Sequence, residues 1–353
     1  MKAPHRLHAP RLLRRIFLAA AVLGLAIVVS APAGALALFS AAPSAQTAGV
    51  TAATISAATG FQTTATGSAT VNLSWTAAPA LTGYTLAQSP GTLAGCSATP
   101  SAGTTSCTAT GLSPTTTYTW TLTANYNNWK SSSAQASATS FATVGATLLG
   151  SATDLTASSQ TTVPAVTTIN GAGLLILVYR QGTSANLAAN SISGNAISGT
   201  PAPSQVTTQS FNSSGGGKYE VQAWQATGTG MSGGTVTVHF TTANNVTTTI
   251  DVVQLSGYNT TSPIARSQPN TGSSSPATGA ALTGASASDG EVFFAGLSAS
   301  ETMSTPNGYT GLDAPATGVH GSWFSSSASS SGVTTALGAS AAWGTIEIEI
   351  NHG

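Results

Sequence analysis

The sequence predicts an all-β protein of two units behind an export segment. Apolar and polar residues alternate with period two in short runs, turn residues break those runs at intervals of about 8–12 residues, and helical periodicity is absent. Composition agrees. Charged residues make up 5% of the 353 against a usual figure of about 25%, so the surface must be built from Ser, Thr, Ala and Gly. Hydrophobic residues reach 41% and Thr and Val are frequent, which sets disorder aside. Nine Lys/Arg balance nine Asp/Glu. Lys2, Arg6, Arg11, Arg14 and Arg15 all precede Ile16, leaving Lys130, Arg180, Lys218 and Arg266, far apart, for the remainder. A nucleic-acid partner needs clustered basic side chains, and that class is excluded.

The address is read from residues 1–37. A basic segment ending at Arg15, the apolar run Ile16–Val29 and the small-residue stretch Ser30–Ala37 are the three regions of a secretory signal peptide. The apolar run is 14 residues long, short of the ~20 that cross a bilayer. Ala33-Gly34-Ala35 and Ala35-Leu36-Ala37 both fit a cleavage site. The alternative is an uncleaved anchor extended to Phe39, basic end inside, which makes the membrane a partner through this segment alone. Arg14-Arg15-Ile16-Phe17-Leu18 is also similar to the twin-arginine export pattern. Every route places the remainder outside the cell, secreted or tethered. Residues 38–52, Ala/Ser/Thr-rich and aperiodic, form a flexible linker.

Cys96 and Cys107 are the only cysteines. In an exported chain the pair is expected to form a disulfide, a staple worth about 3 kcal/mol on the chain-entropy model. A metal reading is weak, because no further Cys or His lies nearby. Around them run half-buried strands: Val71, Leu73 and Trp75 share one face, and Tyr84-Thr-Leu86 and Tyr118 to Ala124 repeat the pattern. Ala78-Pro79, Ser89-Pro90-Gly91 and Gly111-Leu-Ser-Pro114 separate them. Val71-x-Leu73-x-Trp75, Tyr84 and Leu112-x-Pro114-x-Thr116-x-Tyr118-x-Trp120-x-Leu122 together resemble a fibronectin type III domain over residues 53–143. The resemblance implies an Ig-like sandwich with Trp75 in its core and Tyr118 as a tyrosine-corner residue. The cysteine hairpin and Asn125-Tyr-Asn-Asn-Trp129 resemble a version frequent in secreted actinobacterial proteins. Such modules space or bind, and no catalytic residue carries over.

Residues 145–351 also read as strands. Gly173–Tyr179 is a continuous apolar run suited to burial on both faces, and Lys218–Trp224 and Thr235–Phe240 alternate. Thr247–Leu255, Gly290–Gly296 and Gly344–Ile350 complete six, with Asp289-Gly290 as a tight-turn signal. The economical fold is one larger antiparallel β-sandwich with jelly-roll connections. The order of these runs resembles a jelly-roll-like module common in bacterial extracellular proteins, whose role is generally unassigned.

Chemistry-bearing motifs are scarce. Glu347 and Glu349 share one face of the last strand and are expected on a solvated edge that discourages aggregation. Turn and strand-start roles account for Asp289 and Glu291. Asp251 either faces water or is paired. His239 belongs with Thr237 and Thr241 on a wet face. No nucleophile elbow, zinc or calcium spacing, phosphate loop or dinucleotide fingerprint is found, so no catalytic residue, cofactor or metal is assigned. The binding argument rests on aromatics in loop-like contexts, which stack on sugar rings: Tyr126, Trp129, Tyr258, Tyr309 and Trp323. The expectation is a non-catalytic attachment or spacer protein, its second unit contacting a surface or polysaccharide. An accessory carbohydrate-binding role is the alternative. A glycosidase is a third reading, and it requires two facing carboxyl groups in a cleft.

Overall fold

The computed structural model describes residues 38–40, 51–183, 187–243 and 245–353. The export segment, residues 1–37, lies outside them. Strands β1 (Leu38–Ser40) and β2 (Thr51–Ala53) pair antiparallel, so the ends of the linker meet in a short ladder.

The first unit carries β3 (Thr59–Ala65), β4 (Val71–Thr76), β5 (Gly83–Ser89), β6 (Ser106–Ala109), β7 (Thr117–Tyr126) and β8 (Trp129–Thr139). They form two antiparallel sheets, β3-β4-β6 and β5-β7-β8, and their inward faces build one core from Val71, Leu73, Trp75, Leu86, Trp120 and Leu122. Trp75 meets Tyr84 edge to face at 5.7 Å. The irregular segment before β6 extends the second sheet, since Tyr84 N–H donates to the Pro100 carbonyl and Leu86 N–H to that of Ala98. The Cys96–Cys107 disulfide closes that segment. Ser113 N–H donates to the Tyr118 hydroxyl at 2.9 Å, which is the tyrosine corner expected of a fibronectin type III-like sandwich.

The second unit opens with β9 (Gly145–Asp154), β10 (Gln160–Val166), β11 (Gly173–Gly182), β12 (Ala189–Ser193), β13 (Ser204–Asn212), β14 (Lys218–Thr227), β15 (Gly234–Phe240) and β16 (Asn245–Ser256). It continues with β17 (Ile264–Gly272), β18 (Ala277–Thr278), β19 (Gly290–Thr302), β20 (Thr310–Asp313), β21 (Thr317–Ser325), β22 (Thr334–Thr335) and β23 (Trp343–Ile350). Two five-stranded sheets, β13-β14-β11-β16-β9 and β17-β23-β19-β21-β20, are flanked by the three-stranded β10-β15-β12 and the ribbon β18-β22.

Side-chain parity shows how they stack. Leu175, Leu177 and Tyr179 of β11 share a core with Val292, Phe294, Ile346 and Ile348 of the second five-stranded sheet. Leu174, Ile176 and Val178, pointing the other way, share a core with Val163, Val236 and Val238 of the three-stranded sheet. A third core, under the ribbon, holds Phe293, Leu297, Trp323 and Trp343. The expected antiparallel sandwich is thus present with a further layer stacked on it. The physical reason is in the sequence: a strand apolar on both faces needs a partner on each.

The six expected strands are all present. Of those missed, β13 and β17 lie at the edges of the five-stranded sheets and are rich in Ser, Thr and Gln, as edges tend to be. The two units meet in packed contact. Ser288 Oγ donates to the Thr66 carbonyl at 3.0 Å, Phe141 packs on the His352 ring at 4.4 Å, and Val144 enters the core between the five-stranded sheets. At Gly257, with φ of +63°, an added Cβ would lie 2.1 Å from the Thr143 carbonyl oxygen, so only glycine fits the junction.

The tyrosine corner makes a direct prediction. Tyr118→Phe leaves the ring in place but strips the Ser113 N–H of its acceptor, and is expected to cost about 1 kcal/mol in urea denaturation. An unchanged midpoint would show that the corner contributes nothing.

Candidate functional site

Most of the acids are in the interior. Glu220, Asp251, Asp289, Glu291, Glu347 and Glu349 are buried, and Asp154, Glu301 and Asp313 are half-buried. This corrects the solvated-edge expectation for Glu347 and Glu349. Strand β23 is not an edge but lies between β17 and β19, and both glutamates are 0% exposed. Ile346, Ile348 and Ile350 face the central core, which turns the glutamates toward the ribbon and its loops.

Register brings the carboxyls together. Glu291 lies opposite Glu349 and Phe293 opposite Glu347, so Glu291 and Glu347 are diagonal neighbours within reach of long side chains. Each carboxyl accepts a backbone N–H from an irregular segment: Glu291 from Ser329 at 2.8 Å, Glu349 from Ser286 at 2.8 Å, and Glu347 from Val333. Arg266 pairs with Glu349. Gly279 packs so closely on the Glu347 carboxyl that a Cβ there would lie 1.8 Å from Oε1.

Burial pushes the Glu347 carboxyl up to about 8, with Glu291 adding to the shift, and burial raises Glu291 as well. Glu291 Oε1, Glu347 Oε2 and the Tyr309 hydroxyl are buried without a well-formed hydrogen bond. Burial favours the protonated form of both carboxyls, and a protonated carboxyl is itself a donor. Tyr309 lines a pocket of about 200 Å³ with Pro306, Asn307, Ser331 and Thr334. Ser329 and Val333, whose amides hold the two carboxyls, form part of its wall.

A second polar cluster lies between the five-stranded sheets. Asp251 of β16 is 1% exposed, with its Oδ2 accepting from Ser322 Oγ at 3.0 Å. His320 Nε2 is 3.4 Å from Asp313 Oδ2 and 3.9 Å from Asp251 Oδ1. Burial raises the Asp251 carboxyl to about 7, opposed by His320 and reinforced by Asp313. The bond to His320 holds Asp313 below its ordinary range. These three are metal-ligand types with ligand atoms within 4.8 Å of one another.

The five aromatics do not form one face. Tyr126 is 42% exposed and lies opposite Trp129 in the β7–β8 hairpin. Tyr258 packs on the central core, its hydroxyl bonded to Gly173 N–H. Tyr309 lies in a loop at the pocket. Trp323 departs from the expectation most: it belongs to β21, is 1% exposed and stacks on Phe293 at 5.6 Å, so its ring has no free face. Gly321 supplies the reason, since its missing side chain makes room for the Trp323 ring 2.4 Å from where a Cβ would sit. His239 keeps to the wetter face, bonded to Ser193 at 2.7 Å.

No protein-family model matches this chain, and no curated protein does. Among solved structures it is similar to an Fn3-like protein from Clostridium thermocellum, at 28% identity over 23% of this chain and 88% of that one, TM-score 0.20. A two-domain fibronectin type III segment of chicken tenascin is 16% identical over 35% of this chain and 70% of that one, TM-score 0.23. The chitinase ChiA74 from Bacillus thuringiensis is 16% identical over 56% of this chain and 26% of that one, TM-score 0.20.

The raised carboxyls set the pH dependence. Folding raises Glu347 from 4.5 to about 8 and Asp251 from 3.8 to about 7, so the folded state holds protons that the unfolded chain releases. That stabilisation is complete below the unfolded values and is lost as pH rises through the folded ones. The melting temperature is expected to fall between about pH 5 and pH 8, and Glu347→Gln to flatten part of that slope. Stability rising with pH across this window, or a slope unaltered by the substitution, would contradict the burial of protonated carboxyls.

Proposed function

We propose that this chain is a non-catalytic extracellular attachment or spacer protein whose second, jelly-roll-like unit contacts a neutral polysaccharide or cell-wall surface. The observation that carries the reading is the placement of the acids: six of the nine are buried and the other three are half-buried. Apart from exposed Lys130 and Arg266 and a few half-buried charges, the outer surface consists of hydroxyl, amide and small apolar groups, which hydrogen-bond neutral sugars without dependence on salt. The packed junction between the units suits a spacer. Export through the N-terminal segment supplies the location.

A second reading, accessory carbohydrate binding in polysaccharide degradation, is favoured by the Tyr309 pocket. It offers an aromatic ring among Asn307, Ser331 and Thr334, and its volume of about 200 Å³ suits one sugar ring rather than a long chain. The glycosidase reading gains an acid pair in Glu291 and Glu347. Both are roofed, however, and each already accepts a loop amide, whereas glycoside cleavage needs carboxyls flanking an open cleft.

Retention of the purified protein on insoluble cellulose, chitin and isolated cell wall tests the proposal. Binding to at least one is expected, with no release of reducing sugar. Asn307→Ala is expected to weaken it severalfold if the pocket is the contact. Failure to bind any of the three would overturn the attachment reading, and turnover abolished by Glu347→Gln would overturn the non-catalytic one.

A further inference from the structure

Asp251, Asp313 and His320 come from three strands, β16, β20 and β21, and meet where the two five-stranded sheets face each other. Parity accounts for the meeting. Asp251 points to the same side of its sheet as Val253 and Leu255, which belong to the central core. His320 and Ser322 alternate with Trp323, which faces the opposite core. Tyr179 stacks against the imidazole at 6.4 Å, and Phe294 approaches it edge-on at 6.5 Å. Polar side chains at such a place require partners.

One partner is missing. Ser322 occupies Asp251 Oδ2, which orients the carboxylate, while Oδ1 is buried with no hydrogen-bond partner and points toward His320 Nε2, 3.9 Å away. Asp313 Oδ2 lies 3.4 Å from the same nitrogen. An oriented carboxylate with one oxygen held by a hydroxyl and the other unclaimed is the arrangement of a metal ligand steadied from behind. The spacing fits: an ion ~2.1 Å from each of three ligand atoms places those atoms roughly 3.4 Å apart.

We propose that this cluster binds a divalent transition-metal ion of the zinc class through His320 Nε2 and one carboxylate oxygen each from Asp251 and Asp313. Two carboxylates and a neutral imidazole carry a charge of about −2 that such an ion balances. Three ligands, one of them nitrogen, suit zinc or a similar borderline ion, whereas calcium takes about 6–8 oxygens and magnesium demands an oxygen octahedron. Access is through Asp313, which is half-buried on the edge strand β20. The ion would tie β16 of one central sheet to β20 and β21 of the other. Local motif searching could not have found the site, because its residues are scattered along the chain.

Calorimetric titration of the full chain, stripped with a chelator, with Zn²⁺, Ca²⁺ and Mg²⁺ tests the proposal, with Co²⁺ absorption as a probe of nitrogen and oxygen ligation. One saturable Zn²⁺ site is expected at this cluster, raising the melting temperature, with Ca²⁺ and Mg²⁺ at least tenfold weaker. Asp313→Asn on the edge strand and His320→Gln are each expected to weaken Zn²⁺ at least tenfold while circular dichroism shows the fold retained. Absence of a saturable site overturns the proposal, as does a preference for Ca²⁺ or Mg²⁺. So does a Zn²⁺ site unaltered in Asp313→Asn, which would place the ion on other histidines such as His5 and His8. Should His320→Gln fail to fold, Asp313→Asn alone decides.

Discussion

Burial on both faces of the two central sheets is the constraint on which the rest of the structure depends. Strand β11 is apolar on each side, and its two faces enter different cores. A sheet built on such a strand cannot leave either face to water, so it recruits the three-stranded sheet on one side and the second five-stranded sheet on the other. The second sheet meets the same requirement differently. Phe293, Trp323 and Trp343 point away from the central core, and what covers them is a two-stranded ribbon and irregular loops rather than a full sheet.

Loops make poor roofs because their backbone amides need partners that a sheet would have provided. Here the buried acids provide them. Glu291, Glu347 and Glu349 each accept an amide from a covering segment, and Asp289 accepts His352 N–H at 3.1 Å. Elsewhere buried Arg180 does the converse, donating to the Leu187 carbonyl at 3.0 Å and the Thr242 carbonyl at 2.6 Å. Charged groups thus pin irregular backbone to regular sheets. Six of the nine acids are thereby withdrawn from the surface, whose low charge follows in part from interior architecture.

The sequence made the strands legible where the apolar period was strong. Val71, Leu73 and Trp75, the Tyr118 corner, the cysteine pair and the double-faced run at Gly173–Tyr179 all fold as their patterns indicate. Polar edge strands such as β13 escaped, because an edge has one neighbour and little apolar surface to show. Glu347 and Glu349 were misread for a related reason. Alternation tells which residues share a face but not what covers that face, and a cover made of loops leaves no periodic trace. Trp323 failed similarly: glycine and serine before it suggest a loop, yet Gly321 is small because the indole needs its space. The Asp251, Asp313 and His320 cluster was beyond reach, since Asp313 and His320 come from a strand pair not expected and Asp251 joins them only through sheet stacking.

If two-sided burial governs this molecule, the central strands should open only when the whole second unit unfolds. Native-state hydrogen exchange read amide by amide tests this most directly. The account predicts that amides of β11 and β23 share the highest opening free energy, above those of the edge strands β13 and β17. Exchange of β23 at the rate of β17 would contradict it, for the loops over Glu347 would then be no effective cover.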